Sequence, residues 1–128
     1  PIVQVGIRSM DRAEQTRLTP GSVFWAHEIA ATTGWIDAVL ARLPEACYVT
    51  IDLDVFDPAV MPSTGTPEPG GLFWYEATRL LQAVSRRRVV GFDVVELCPS
   101  DSNRAPDFLA AKLIYHFLSQ CFERTPRP

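Results

Sequence analysis

The sequence predicts an α/β fold built on a parallel sheet, and two features carry that prediction. Strand-like runs alternate with stretches of helical periodicity, the pattern of βαβ units. Two of the runs, Cys47–Leu53 and Val89–Val95, are largely apolar, as suits strands at the centre of a parallel sheet. With 128 residues, 47% of them apolar, the chain suits one domain or part of one, and no linker or internal repeat divides it.

Ile2–Ile7 reads as a short strand beginning almost at the first residue, and Asp11–Glu14 as a short helix. Pro20-Gly21 breaks the chain before a second short strand at Ser22–Ala26. Thr32 or Thr33 is expected to cap a helix running to about Leu43, with Trp35, Ile36, Val39, Leu40 and Leu43 on one face and Pro44 as its stop. Cys47–Leu53 follows as a strand. The segment from Asp54 to Leu72 holds four prolines and three glycines, which exclude a regular element. A helix is expected from about Trp74 to Ser85, a strand over Val89–Val95 and a loop over Pro99–Pro106. Asp107 then opens a final helix with Leu109, Leu113, Phe117 and Cys121 as its core stripe.

Composition narrows the function classes. The net charge is −3, and Arg86-Arg87-Arg88 is the only basic cluster, better read as a helix end than as a nucleic-acid surface. The three cysteines have no metal-ligand spacing, and Cys47 and Cys98, beside apolar runs, are expected to be buried thiols. No run of 18 apolar residues and no signal peptide is visible, so a cytoplasmic location without membrane contact is expected. The start at Pro1, directly inside a strand-like run, suggests a piece of a longer protein.

The chemistry concentrates in Ile51-Asp52-Leu53-Asp54. Carboxylates at i and i+2 of a strand share a face, and these sit at its carboxyl end, where α/β sheets collect ligands. Two adjacent buried carboxylates call for a cation, and oxygen donors favour manganese, magnesium or calcium. A solvated strand end capping a turn is the plainer alternative. The ordered, proline-rich loop that follows favours the cation, since such long segments are usually functional. Asp57-Pro58 reads as a turn-forming pair rather than a ligand. Glu96 closes the run that contains Asp93. In the same sheet it would share an edge with Asp52 and Asp54, placed to bind a cationic substrate or simply to serve as a helix-capping or salt-bridged loop residue. His27 and His116 have no ligand-spaced neighbours and read as structural.

Thr50-Ile-Asp-Leu-Asp-Val-Phe-Asp-Pro58 resembles the ureohydrolase signature ending in DxDxxDP. Pro62–Leu72 follows at that family's spacing, Gly91–Pro99 resembles its GxDxxExxP segment, and Val5–Ser9 resembles the strand that starts its second half. The resemblance covers the whole chain in order and implies the carboxyl-terminal part, residues 1–128, of a single arginase- or agmatinase-like domain, a three-layer α/β sandwich. It implies two manganese ions, with Asp52 bridging both and Asp54 binding one. Glu96 would hold the substrate guanidinium, with Thr66 helping to orient it, and the full protein would be a homo-oligomer acting on a small cationic guanidino compound. The wording around Thr64–Gly71 and Phe92–Leu97 is more agmatinase-like than arginase-like, which points to agmatine, putrescine and urea; arginase and guanidinobutyrase activities stand as alternatives. The family's histidine-bearing GGDH and DAHxD motifs do not occur here, so an isolated chain is expected to be incomplete and inactive, with an exposed first strand that invites association. A haloacid-dehalogenase-type phosphatase shares only the DxD, and its required later lysine has no counterpart, Lys112 lying on the last helix. A non-enzymatic scaffold is the remaining reading.

Overall fold

A computed structural model describes residues 1–123; the last five positions of the expected 1–128 unit lie outside the described residues. The first strand, β1 (Gln4–Ile7), pairs in parallel with β2 (Val23–Trp25). A register shift falls between Val5 and Ile7, at Gly6, whose φ of 80° belongs to the left-handed region. A side chain there would start 2.6 Å from Val55 Cγ2, so the glycine also permits close approach to the site described below. Between the strands lies α1 (Arg12–Gln15). Asp11 caps it by accepting the Ala13 N–H at 2.6 Å, and Glu14 reaches back to the Asp11 N–H at 3.3 Å.

One helix has no counterpart in the sequence reading. α2 (Ala26–Ala31) starts without a break after β2, burying Ala26 and Ile29. Its amino-terminal cap position is Trp25, which supplies no side-chain acceptor, so the usual signal for a helix start is missing. The next helix, α3 (Trp35–Arg42), is capped by neither Thr32 nor Thr33. Gly34 occupies the cap position at φ 77°, and the Thr32 hydroxyl instead donates to the Glu28 carbonyl at the end of α2. The proximity of a second helix end redirected that threonine.

β3 (Ala46–Asp52) and β4 (Arg88–Val95) form a second parallel pair, with Thr50 opposite Asp93 and Asp52 opposite Val95. The crossover between them contains α4 (Trp74–Val84), entered where Glu76 accepts the Phe73 N–H at 2.8 Å. α5 (Ala105–Phe122) ends the described chain; it begins two residues before Asp107, with Pro106 in its first turn, a position where the missing N–H costs nothing.

The core lies on one face of the second pair. Leu53, Leu113 and Phe117 have no solvent exposure, and Phe56 and Met61 have almost none. Phe92 meets Phe117 edge to face at 5.0 Å. Burying side chains of this size stabilises by about 1.5–3 kcal/mol each. The expected core stripe of α5 is observed, with Leu113 and Phe117 buried and Leu109 and Cys121 packed against them. Cys47 is half-buried, its thiol pushed up by burial, but Cys98 is exposed because it leaves the sheet after β4, in correction of the expected buried thiol. Of the tri-arginine cluster, Arg87 serves a helix end, half-buried rather than solvated: it donates to the Leu40 carbonyl at 2.8 Å, in the last turn of α3.

Among the described residues the strands form two two-stranded parallel sheets rather than one, so neither β3 nor β4 is a central strand here. The segments that follow β1 and β3 meet at the carboxyl ends, where Ser9 donates to Glu68 at 2.8 Å. Between β1 and β3 lies an open apolar cleft of about 750 Å³, lined by Val3, Val5, Ile7, Val49 and Ile51 among others. No helix among the described residues is long and apolar enough to cross a membrane.

Candidate metal and substrate site

Asp52 ends β3 and Asp54 follows in a single 3₁₀ turn, Leu53–Val55. The two acids therefore do not share a strand face by alternation, as the spacing suggested. The turn brings them together instead: Asp52 Oδ1 accepts the Asp54 N–H at 2.8 Å, an acid capping the turn that presents the next acid. Leu53, fully buried between them, fixes the turn on the core.

Thr66 donates its hydroxyl to Asp54 Oδ2. The other oxygen, Asp54 Oδ1, is buried without a hydrogen-bond partner. A buried carboxylate oxygen left alone costs on the order of 1–3 kcal/mol unless something satisfies it. Thr64, which the sequence reading passed over, has a hydroxyl in the same condition two residues from Thr66. Only the repeat of threonines in Thr64-Gly65-Thr66 could have drawn attention to it.

Loop order comes from Asp57, which acts as a turn-forming residue and not as part of the acid pair. Its carboxylate accepts the Ala59 N–H at 2.9 Å and the Gly70 N–H at 2.8 Å, closing the loop on itself. These two bonds, Ala59 first, hold its pKa below the usual carboxylate range. The Asp57 N–H and Leu72 carbonyl are joined at 3.0 Å, and Gly71 packs so tightly that a Cβ there would lie 2.4 Å from the Phe56 carbonyl carbon.

Glu96 follows β4 at the same end as Asp52. It is the only non-glycine residue among the described ones with positive φ, at 67°. Such a conformation costs about 1–2 kcal/mol and persists where surroundings enforce it, often at functional positions. Its Oε2 lies 3.6 Å from where a Cβ on Gly65 would stand, which places the carboxylate beside the Thr64–Thr66 turn. A bond from the Cys98 N–H to the Ser63 carbonyl at 2.8 Å joins the two loops. Asp93 turns elsewhere: Thr50 and Tyr48 donate to it at 2.6 and 2.8 Å, and these bonds, Thr50's first, hold its pKa low.

The donor set fits a hard divalent cation in part. Two carboxylates with one orphaned oxygen suit such an ion, but an oxygen-rich manganese site takes about six donors. Among the described residues no three His, Cys, Asp or Glu side chains gather into a metal cluster. The histidines are engaged elsewhere: His27 stands 6.3 Å from Trp25, and His116 contacts Trp74 and Gln120.

Comparison with known proteins gives a consistent picture. The arginase family model matches residues 1–119. The N(1)-aminopropylagmatine ureohydrolase of Thermus thermophilus is 44% identical over 119 residues, covering 91% of this chain and 40% of that protein. Two solved structures superpose well. The agmatine ureohydrolase of Thermoplasma volcanium has a TM-score of 0.78 at 33% identity, over 94% of this chain and 42% of that one. The proclavaminate amidino hydrolase of Streptomyces clavuligerus has a TM-score of 0.81 at 35% identity, over 93% and 41%. The chain thus spans about two-fifths of the length of the relatives it matches.

Proposed function

The chain belongs to the arginase family, with the arginase-like α/β fold, and we propose that it forms one wall of a two-manganese site that hydrolyses a guanidino compound to urea and an amine. The observation that carries this reading is the orphaned Asp54 Oδ1, held beside Asp52 at the carboxyl end of a parallel pair. Asp52 would touch both ions and Asp54 one, and the remaining donors would come from outside this chain. Bound divalent metal supplies Lewis acidity and hydroxide near neutral pH.

The chain's own residues prepare that chemistry. Thr66 donates to Asp54 Oδ2 and orients the carboxylate, leaving Oδ1 as the oxygen without a partner that a cation would satisfy. Glu96 would receive the guanidinium through a charge-assisted, bidentate contact. Its strained backbone holds the carboxylate at the Thr64–Thr66 turn, where the substrate's planar head would lie between the loops. The loop closed by Asp57 would form one wall beside that head.

Agmatine is the substrate we favour, supported by the agmatine-type ureohydrolase names among the relatives; the proclavaminate enzyme marks the wider range of guanidino chemistry on this fold. The test is a chimera in which this chain replaces the matching 40% of the Thermus thermophilus protein. It should bind two manganese ions and release urea from agmatine faster than from arginine. Asp52→Ala should lose both ions and Asp54→Ala should weaken one. Unchanged manganese content in both variants would overturn the assignment, and faster release from arginine would overturn the substrate.

A further inference from the structure

We propose that Arg8 is a positioning residue for this site, its guanidinium clamping from the end of β1 the turn that aims the Asp54 carboxylate. The inference rests on the reading of Asp52 and Asp54 as metal ligands. Arg8 Nη2 donates to the Asp54 carbonyl, and Nη1 donates to the Val55 carbonyl at 3.3 Å and to its own neighbour Gly6 at 3.0 Å. One planar fork thus spans two successive carbonyls across 46 and 47 residues of sequence.

The consequence lies at Asp54. Its N–H is bound by Asp52 Oδ1, its C=O by Arg8 and its Oδ2 by Thr66. Three of its polar groups are fixed by three different residues, and the fourth, Oδ1, is left alone and buried. That is preorganisation of a ligand by supporting contacts, which positions a charge before the cation arrives. Arginine suits the task because its donors have fixed relative directions; a lysine offers one point charge and can serve only one carbonyl well. Gly6 contributes the clearance, since any side chain there would collide with Val55.

A merely structural staple between the two sheets would loosen everything when cut. A positioning clamp would loosen the turn. Backbone hydrogen exchange of this chain without metal separates the two. Arg8→Met should raise exchange at the Asp54 and Phe56 amides about tenfold or more, as expected for losing hydrogen bonds to a charged donor. The amides of Phe92 and Val94 in β4 should not change, and Arg8→Lys should recover part of the protection. Arg87→Met is the matched control: it removes another guanidinium–carbonyl bond, at Leu40, and should leave Asp54 and Phe56 unaffected. Unchanged exchange in Arg8→Met, or an equal rise at all four amides, would overturn the proposal. Manganese titration of the chimera carrying Arg8→Met gives the second readout, a weaker affinity at full protein stability. Local exchange with an unaltered affinity would overturn the link to the ligand. A chimera that binds no manganese even with Arg8 present would instead count against the metal reading, while the exchange result still decides the clamp.

Discussion

The β3–β4 sheet has two faces of opposite character. One carries Val49, Ile51, Phe92 and Val94 into a core closed by α4 and α5. The other carries Tyr48, Thr50, Asp52, Asp93 and Val95, and much of it is bare: Tyr48 is 60% exposed and Val95 40%. Both faces belong to the same strands, so strand-forming tendency cannot explain the difference. What differs is the presence of packed helices. The apolar face is covered in large part within the chain, with Ile51 buried and Val49, Phe92 and Val94 half-buried. The other holds its polar groups by local bonds, Tyr48 and Thr50 to Asp93, and leaves apolar area open, a kind of surface that marks an interface when it is continuous.

The contrast breaks first on the covered face. Phe117→Ala removes a fully buried ring from its contact with Phe92 and should destabilise by about 3–5 kcal/mol, read from the urea midpoint. A loss below about 1 kcal/mol would mean that this face is as loosely packed as the other.

At the carboxyl edge, where the two faces meet the site, the expected effect is smaller. Gly71→Ala forces the loop away from the Phe56–Asp57 backbone and should cost about 1–3 kcal/mol. Nuclear magnetic resonance should show the shifts confined to residues 54–72. Shifts spread through α5 instead would mean that the loop is part of the core and not a wall laid against it.

Glu96→Gly should change stability with the opposite sign. It relieves the left-handed backbone and should stabilise by about 0.5–1 kcal/mol, less the entropy glycine adds to the unfolded chain. In the chimera it should still raise KM sharply. Destabilisation would show that Glu96 stands there for its local contacts and not in spite of its backbone.

The smallest effect belongs to the bare face. Tyr48→Phe should lower the urea midpoint only slightly at pH 7 while the Asp93 pKa, followed by carboxyl NMR, rises toward the ordinary range. The sign follows from linkage: a carboxylate with lowered folded pKa stabilises above its unfolded pKa and loses that contribution as pH falls through the folded value. Tyr48→Phe should therefore flatten the acid limb of the stability curve. A fall in the pH 7 midpoint as large as that of Phe117→Ala would erase the distinction between the faces.

Much of this was written in local sequence. The apolar runs gave β3 and β4, the i, i+4 stripe gave α5, and the crowded prolines and glycines gave the long loop between Asp54 and Leu72, because each rests on interactions within a few residues. The DxD and the later glutamate located the candidate chemistry, and the comparisons agree on the family. Local reading failed where the partner lay far along the chain or where a usual signal was missing. α2 has no cap to announce it, and Thr32 bonds backward to Glu28. The 3₁₀ turn under Asp54 and the orphaned Asp54 Oδ1 depend on a buried Leu53, on Thr66 and on Arg8, whose guanidinium arrives from the other sheet. Periodicity assigns residues to elements, since that is a property of neighbours in sequence. Which carboxylate oxygen is left free is a property of neighbours in space, and only the tertiary structure decides it.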